Sequence, residues 1–159
     1  MKTRFLLFVM ISAAFLMTGC DKTTAGIKEG KGWFTYDGVR HELGVSTLAT
    51  TDLENGRYDH VIYFLDATGS TVDYFVMEID DNVSKNTIPE GTYNITVGGA
   101  NTAGVSVSNG PTHILTGTMK VTRTSDSYNF NFTGQTTGED PKAVALDYDG
   151  ALNPEEKVK

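Results

Sequence analysis

Tyr128-Asn129-Phe130-Asn131-Phe132-Thr133 decides the fold class. Aromatic side chains stand at every second position, with amides and a hydroxyl between them. A period of two puts the rings on one face of a strand and the polar groups on the other. Such a strand has one face on a core and one in water. The same alternation spreads outward from this stretch. In Thr92-Tyr93-Asn94-Ile95-Thr96-Val97, the residues Tyr93, Ile95 and Val97 share a face. Over 143–152 the shared face holds Val144, Leu146, Tyr148 and Leu152.

Further strands are predicted over 33–36, 39–45, 57–66, 71–80 and 112–123. Asp37-Gly38 separates the first two of these. An Asp-Gly between two strand-like runs is a strong hairpin signal, because both positions tolerate positive φ and the turn matches strand twist. No stretch beyond residue 20 carries a helical period. The chain therefore reads as all-β, a single antiparallel meander of about eight strands. It forms a β-sandwich or a flattened, lipocalin-like barrel. Pairing of the first and last strands would remove both open edges. Two long connections, 80–90 and 98–111, remain. The second is rich in Gly, Asn, Ser and Thr and is expected to be a loop, the natural place for a ligand.

The N-terminus carries a different signal. Lys2 and Arg4 precede an apolar run over 5–17, which leads into Leu16-Met17-Thr18-Gly19-Cys20. The run is too short to span a bilayer but suits the apolar region of a secretory signal. Small residues directly before a cysteine resemble the bacterial lipoprotein signal. There the thiol takes a diacylglyceryl group and becomes the first residue of the mature chain. That resemblance implies a cleaved signal peptide over 1–19, with a signal helix, and acylation of Cys20, palmitate included. Cys20 is the one cysteine in the chain, so no internal disulfide can form. The expected organisation is then a flexible tether over 20–32, a β-domain over 33–152 and a disordered tail over 153–159. Location follows from the anchor: the bacterial cell envelope, at the outer membrane or cell surface rather than the inner membrane.

The formal net charge is −7, and loss of residues 1–19, which hold Lys2 and Arg4 and no acid, takes it to −9. Nucleic acid and anionic headgroups both require Lys/Arg clusters, so neither is expected as a partner. The nearest approach to a cluster, Lys28 with Lys31, is interrupted by Glu29.

Catalytic chemistry finds little support. His41, His60 and His113 lie in three different predicted strands without metal-ligand spacing, and each is expected to be a satisfied structural or surface histidine. Asp80-Asp81-Asn82-Val83-Ser84 opens like a calcium loop. Lys85 then stands where that loop needs glycine, and Gly91 where it needs a bidentate glutamate. No serine lies in a Gly-x-Ser-x-Gly elbow. Asp66, Asp73 and Glu78 have no spacing that argues for a paired-carboxylate site. No catalytic residue, metal or cofactor is assigned. Trp33, Tyr36, Tyr58, Tyr63 and Tyr74 could stack on a sugar if exposed, and the segment 57–60 is the one most expected to be so.

Several local motifs extend the resemblance. They are Phe34-Thr35-Tyr36-Asp37-Gly38, Ile88-Pro89-Glu90-Gly91-Thr92-Tyr93, Gly117-Thr118-Met119-Lys120-Val121, Asp126-Ser127-Tyr128-Asn129-Phe130 and Tyr148-Asp149-Gly150-Ala151-Leu152. With Cys20 they resemble small β-rich lipoproteins from bacteroidetes-type bacteria. The resemblance implies a shared fold and brings no catalytic residues with it. The expected function is a monomeric, non-enzymatic, lipid-anchored binding module for a glycan or an envelope protein. The alternatives are a lipocalin-like carrier of a small apolar ligand and a structural or assembly subunit.

Overall fold

The computed structural model describes residues 28–53, 55–66 and 72–154. The expected signal helix, Cys20 and most of the tether lie outside them, as do the turn over 67–70 and residues 155–159.

The described chain is all-β and contains no helix. Asp37 and Gly38 take φ values of 50° and 79°. They close the expected hairpin between β1 (Gly30–Tyr36) and β2 (Val39–Leu43). Then follow β3 (Val45–Asp52), β4 (Tyr58–Leu65), β5 (Tyr74–Asn82), β6 (Gly91–Ile95) and β7 (Asn101–Ser106). The chain finishes with β8 (His113–Arg123), β9 (Tyr128–Thr136), β10 (Ala143–Gly150) and the two-residue β11 (Asn153–Pro154).

All eleven strands belong to one sheet, in the order β11-β3-β4-β5-β7-β8-β9-β10-β1-β2, with β6 also on β8. The sheet curls into a half-barrel. Strands β2 and β3 lie toward opposite ends of that order yet are consecutive across Gly44. The Gly44 carbonyl accepts from the Gly30 N–H and its own N–H donates to Leu65, both at 3.0 Å. The first and last long strands, β1 and β10, pair antiparallel from Gly30↔Gly150 to Tyr36↔Val144.

Four expectations change. Among the described residues the strands number eleven rather than about eight: β3 continues β2 beyond Gly44, and β7 and β11 are added. The pattern is mixed rather than a pure antiparallel meander, since β11 pairs parallel with β3. The long polar loop expected over 98–111 holds strand β7 in its middle. Its inward residues, Ala103 and Val105, are small, so their burial leaves little hydrophobic signal. Finally, β1 begins inside the stretch read as tether, and β11 lies in the stretch read as tail.

The core forms where the inward faces meet. Phe64 lies 6.1 Å from Phe75, 5.0 Å from Phe130 and 4.9 Å from Tyr148, centroid to centroid. Phe75 lies 5.3 Å from Phe132. Tilted and edge-on rings at these distances stabilise by roughly 0.5–1.5 kcal/mol per pair beyond their area burial. Ile62, Met77, Leu115 and Met119 occupy the space between the rings. Two glycines make this packing possible. A Cβ on Gly30 would fall 2.0 Å from the Tyr148 hydroxyl, and one on Gly32 would fall 2.5 Å from the Asp147 carbonyl oxygen. Among the described residues the buried Tyr148 hydroxyl meets no partner in full hydrogen-bond geometry, though the Ser46 side chain lies close to it.

Candidate functional site

The strand registers give the half-barrel two ends. One, the hairpin end, gathers the β1–β2 hairpin with the connections β4–β5, β7–β8 and β9–β10. The other, the tether end, gathers Lys28 with the connections β3–β4, β5–β6 and β8–β9 and the segment after β10.

At the hairpin end, Phe34 and His41 are cross-strand partners and their rings stack at 4.7 Å. His41 Nδ1 donates to Asp73 Oδ2 at 2.7 Å, with both side chains largely buried. Asp73 Oδ1 also accepts the Ser108 N–H at 2.6 Å. Two residues along from Phe34, Tyr36 stacks on His113 and its hydroxyl hydrogen-bonds to Nε2 at 3.3 Å. This cluster satisfies its own members. Among the described residues no three metal-ligating side chains converge.

His60 lies toward the tether end. The sequence places it in the segment most expected to be exposed, but it is fully buried. Alternation explains this, since His60 shares the inward face with Ile62 and Phe64. Nε2 donates to the Ser84 carbonyl oxygen at 2.7 Å, so that nitrogen carries the proton. Nδ1 then accepts from the Thr50 hydroxyl at 3.1 Å. Burial pushes the His60 pKa below its ordinary value. The calcium-like segment is the end of β5 followed by an ordinary turn. Asn82 Oδ1 accepts from the Ser84 N–H, Asn82 Nδ2 donates to the Thr87 carbonyl oxygen, and the Ser84 and Thr87 hydroxyls bond to each other.

Two adjoining clefts open at the tether end. The first, of about 330 Å³, has a floor of Leu48, Tyr128 and Leu152. Its walls carry Thr50, Asn86 and Ser125, and its rim carries Lys28, Lys85, Arg123 and Asp126. The Arg123 guanidinium sits over the Tyr128 ring at 5.4 Å. The second, of about 470 Å³, shares Lys28, Asp126 and Ala151 with the first and runs along Gly30 and Gly150.

Sequence reasoning selects none of these residues as a site. Lys85 counts there only as the residue that spoils a calcium loop, and Tyr128 only as core. Lys28, Lys85 and Arg123 are far apart in the chain, and only the pairing register brings their turns together. The aromatic candidates are mostly engaged elsewhere. Tyr63 packs edge-on against Tyr74 at 6.0 Å, and Trp33 lies under the Arg40 guanidinium at 4.9 Å.

Comparison with family models, with curated proteins and with solved structures finds no match to this chain.

Proposed function

We propose that this chain is a lipid-anchored lipoprotein of the cell envelope, at the outer membrane or cell surface, and that it acts as a non-enzymatic binding module for a glycan. The observation that carries the reading is the pair of adjoining clefts at the tether end. The first combines an apolar floor of Leu48, Tyr128 and Leu152 with hydroxyl, amide and charged groups, and the second adds further charged groups, a mixture suited to a polyhydroxylated ring. The resemblance of the 16–20 stretch to a lipoprotein signal supports the anchor. Seven residues separate Cys20 from Lys28, and the eight Cα–Cα steps between them reach at most about 28 Å at full extension. The clefts would then open near the membrane surface, within reach of envelope polysaccharide.

An interior carrier is the weaker reading, because the space such a ligand would need is taken by Phe64, Phe75, Phe130, Phe132 and Tyr148.

Two measurements test the proposal. Membrane fractionation of wild type and Cys20→Ser checks the anchor, which requires the variant to lose both the covalent lipid and the membrane fraction. A glycan array probed with the full chain in neutral detergent micelles checks the activity. Retention of protein partners alone, with every glycan silent, would overturn the glycan reading.

A further inference from the structure

The tether-end cleft has a charge balance opposite to that of the chain around it. Its rim holds Lys28, Lys85 and Arg123 against the single acid Asp126, in a chain of net charge −7. Among the described residues none of the three cations lies in a salt bridge. The cations at the hairpin end, by contrast, are paired. Arg40 pairs with Glu42 at 2.6 Å, and Lys142 pairs with Asp140 at 2.8 Å and Asp37 at 3.7 Å.

The rim is also partly held in place. Stacking on Tyr128 fixes the direction of Arg123. Tyr128 is fixed in turn, because its hydroxyl accepts the Ile88 N–H at 3.3 Å. The Lys28 backbone is clamped to Asn153, with its N–H donating to Oδ1 at 2.9 Å and its carbonyl oxygen accepting from Nδ2 at 2.8 Å. Thr50 presents a hydroxyl whose proton is committed to His60, so its lone pairs remain to accept from a ligand. A guanidinium and two ammonium groups without carboxylate partners provide donors for an anionic oxygen.

We infer that the tether-end cleft takes an acidic saccharide, its carboxylate or phosphate held between Arg123, Lys85 and Lys28 and its ring against the apolar floor at Leu48 and Leu152. The inference rests on the glycan-binding reading above and narrows it to anionic sugars.

The test is amide-resolved NMR titration of the full lipidated chain in neutral detergent micelles, with glucuronate, glucose 6-phosphate, glucose and inorganic phosphate as probes. The two acidic sugars should shift the amides of Thr50, Asn86 and Ser125, and glucose should bind at least about tenfold more weakly, as the loss of one charged hydrogen bond predicts. The double variant Lys85→Gln/Arg123→Gln should lose about tenfold or more for the acidic sugars, while Lys120→Gln, on the exposed outer face of β8, should not. Added salt should weaken binding of wild type and leave the double variant little changed.

Equal binding of glucose and glucuronate at these amides would overturn the charge inference and leave the glycan reading standing. Inorganic phosphate binding as tightly as glucose 6-phosphate would support the anion site and overturn the glycan reading. Silence from all four probes would overturn both. The same oxygen chemistry is available on membrane headgroups, so phosphatidylglycerol forms a further arm. Displacement of glucuronate by phosphatidylglycerol in the micelle at the same amides would assign the cleft to a headgroup and overturn the saccharide.

Discussion

The two ends of the half-barrel treat charge in opposite ways. At the hairpin end, His41 faces Asp73, Arg40 faces Glu42, and Lys142 reaches both Asp140 and Asp37. Hydrogen bonding to Glu42 raises the Arg40 pKa, and the same contact lowers that of Glu42. At the tether end, Lys28, Lys85 and Arg123 surround a cleft and have no carboxylate in salt-bridge range among the described residues. A cluster that satisfies itself has little left to offer a ligand, whereas cations beside an open cleft retain their donors. On the proposed reading, recognition belongs to the tether end and structural closure to the hairpin end.

Both ends rest on one aromatic core, and breaking that core gives the largest expected effect. Phe64→Ala should cost about 3–5 kcal/mol, and chemical denaturation should find both ends lost in one transition. Separate transitions would mean that the ends are independently stable.

Asp73→Ala breaks the hairpin end alone. It leaves His41 and the Ser108 N–H without their acceptor, at a cost of about 1–3 kcal/mol. Titration of the tether-end cleft should be unchanged. Loss of binding there would remove the separation of roles drawn above.

Acid sharpens the comparison from the other side. His60 is buried neutral, so its folded-state pKa lies below the unfolded value of about 6.5. The unfolded chain takes up a proton that the folded chain refuses. The stability from the neutral ring is present above pH 6.5 and falls as pH drops below it, by up to about 1.4 kcal/mol per pH unit. Urea melts between pH 5 and 8 read this slope, and His60→Gln should flatten it.

Tyr148→Phe should have a smaller effect with an unusual sign. Removing a buried hydroxyl that meets no partner in full hydrogen-bond geometry among the described residues should leave stability unchanged or raise it by about 1 kcal/mol. A loss of more than that would show that the hydroxyl is satisfied after all. The smallest effect belongs to Lys85→Gln, an exposed change at a side chain outside any salt bridge. Its melting midpoint should correspond to less than about 0.5 kcal/mol, even as acidic-sugar binding weakens.

Most of the core is legible in the sequence because period-two alternation of large residues leaves a strong trace. Phe130, Phe132, Val144, Leu146 and Tyr148 all point inward as the alternation predicts. Strand β7 escapes because Ala103 and Val105 contribute little apolar volume, and its outward neighbours, Gly104 and Ser106, resemble loop residues. Strand β3 escapes because Ser46 and Thr50 occupy inward positions. Ser46 donates to the Ala151 carbonyl oxygen at 2.8 Å, and Thr50 bonds to His60. A polar residue on a core face reads as exposed until its partner is known. The cleft is less legible still. An acidic composition argues against anionic partners, but composition averages over the surface, and a local excess of cations depends on which turns are brought together.

Asn153 grips Lys28 through both atoms of its amide, across 125 positions of sequence, and also donates to the Ser46 carbonyl oxygen at 2.9 Å. A pull delivered through the residues before Lys28 therefore loads this clasp first. The load then passes along β1, which is hydrogen-bonded to β2 on one side and β10 on the other. A pull directed along the axis of β1 would shear both ladders together instead of peeling them bond by bond, so the domain is suited to bearing force along that strand.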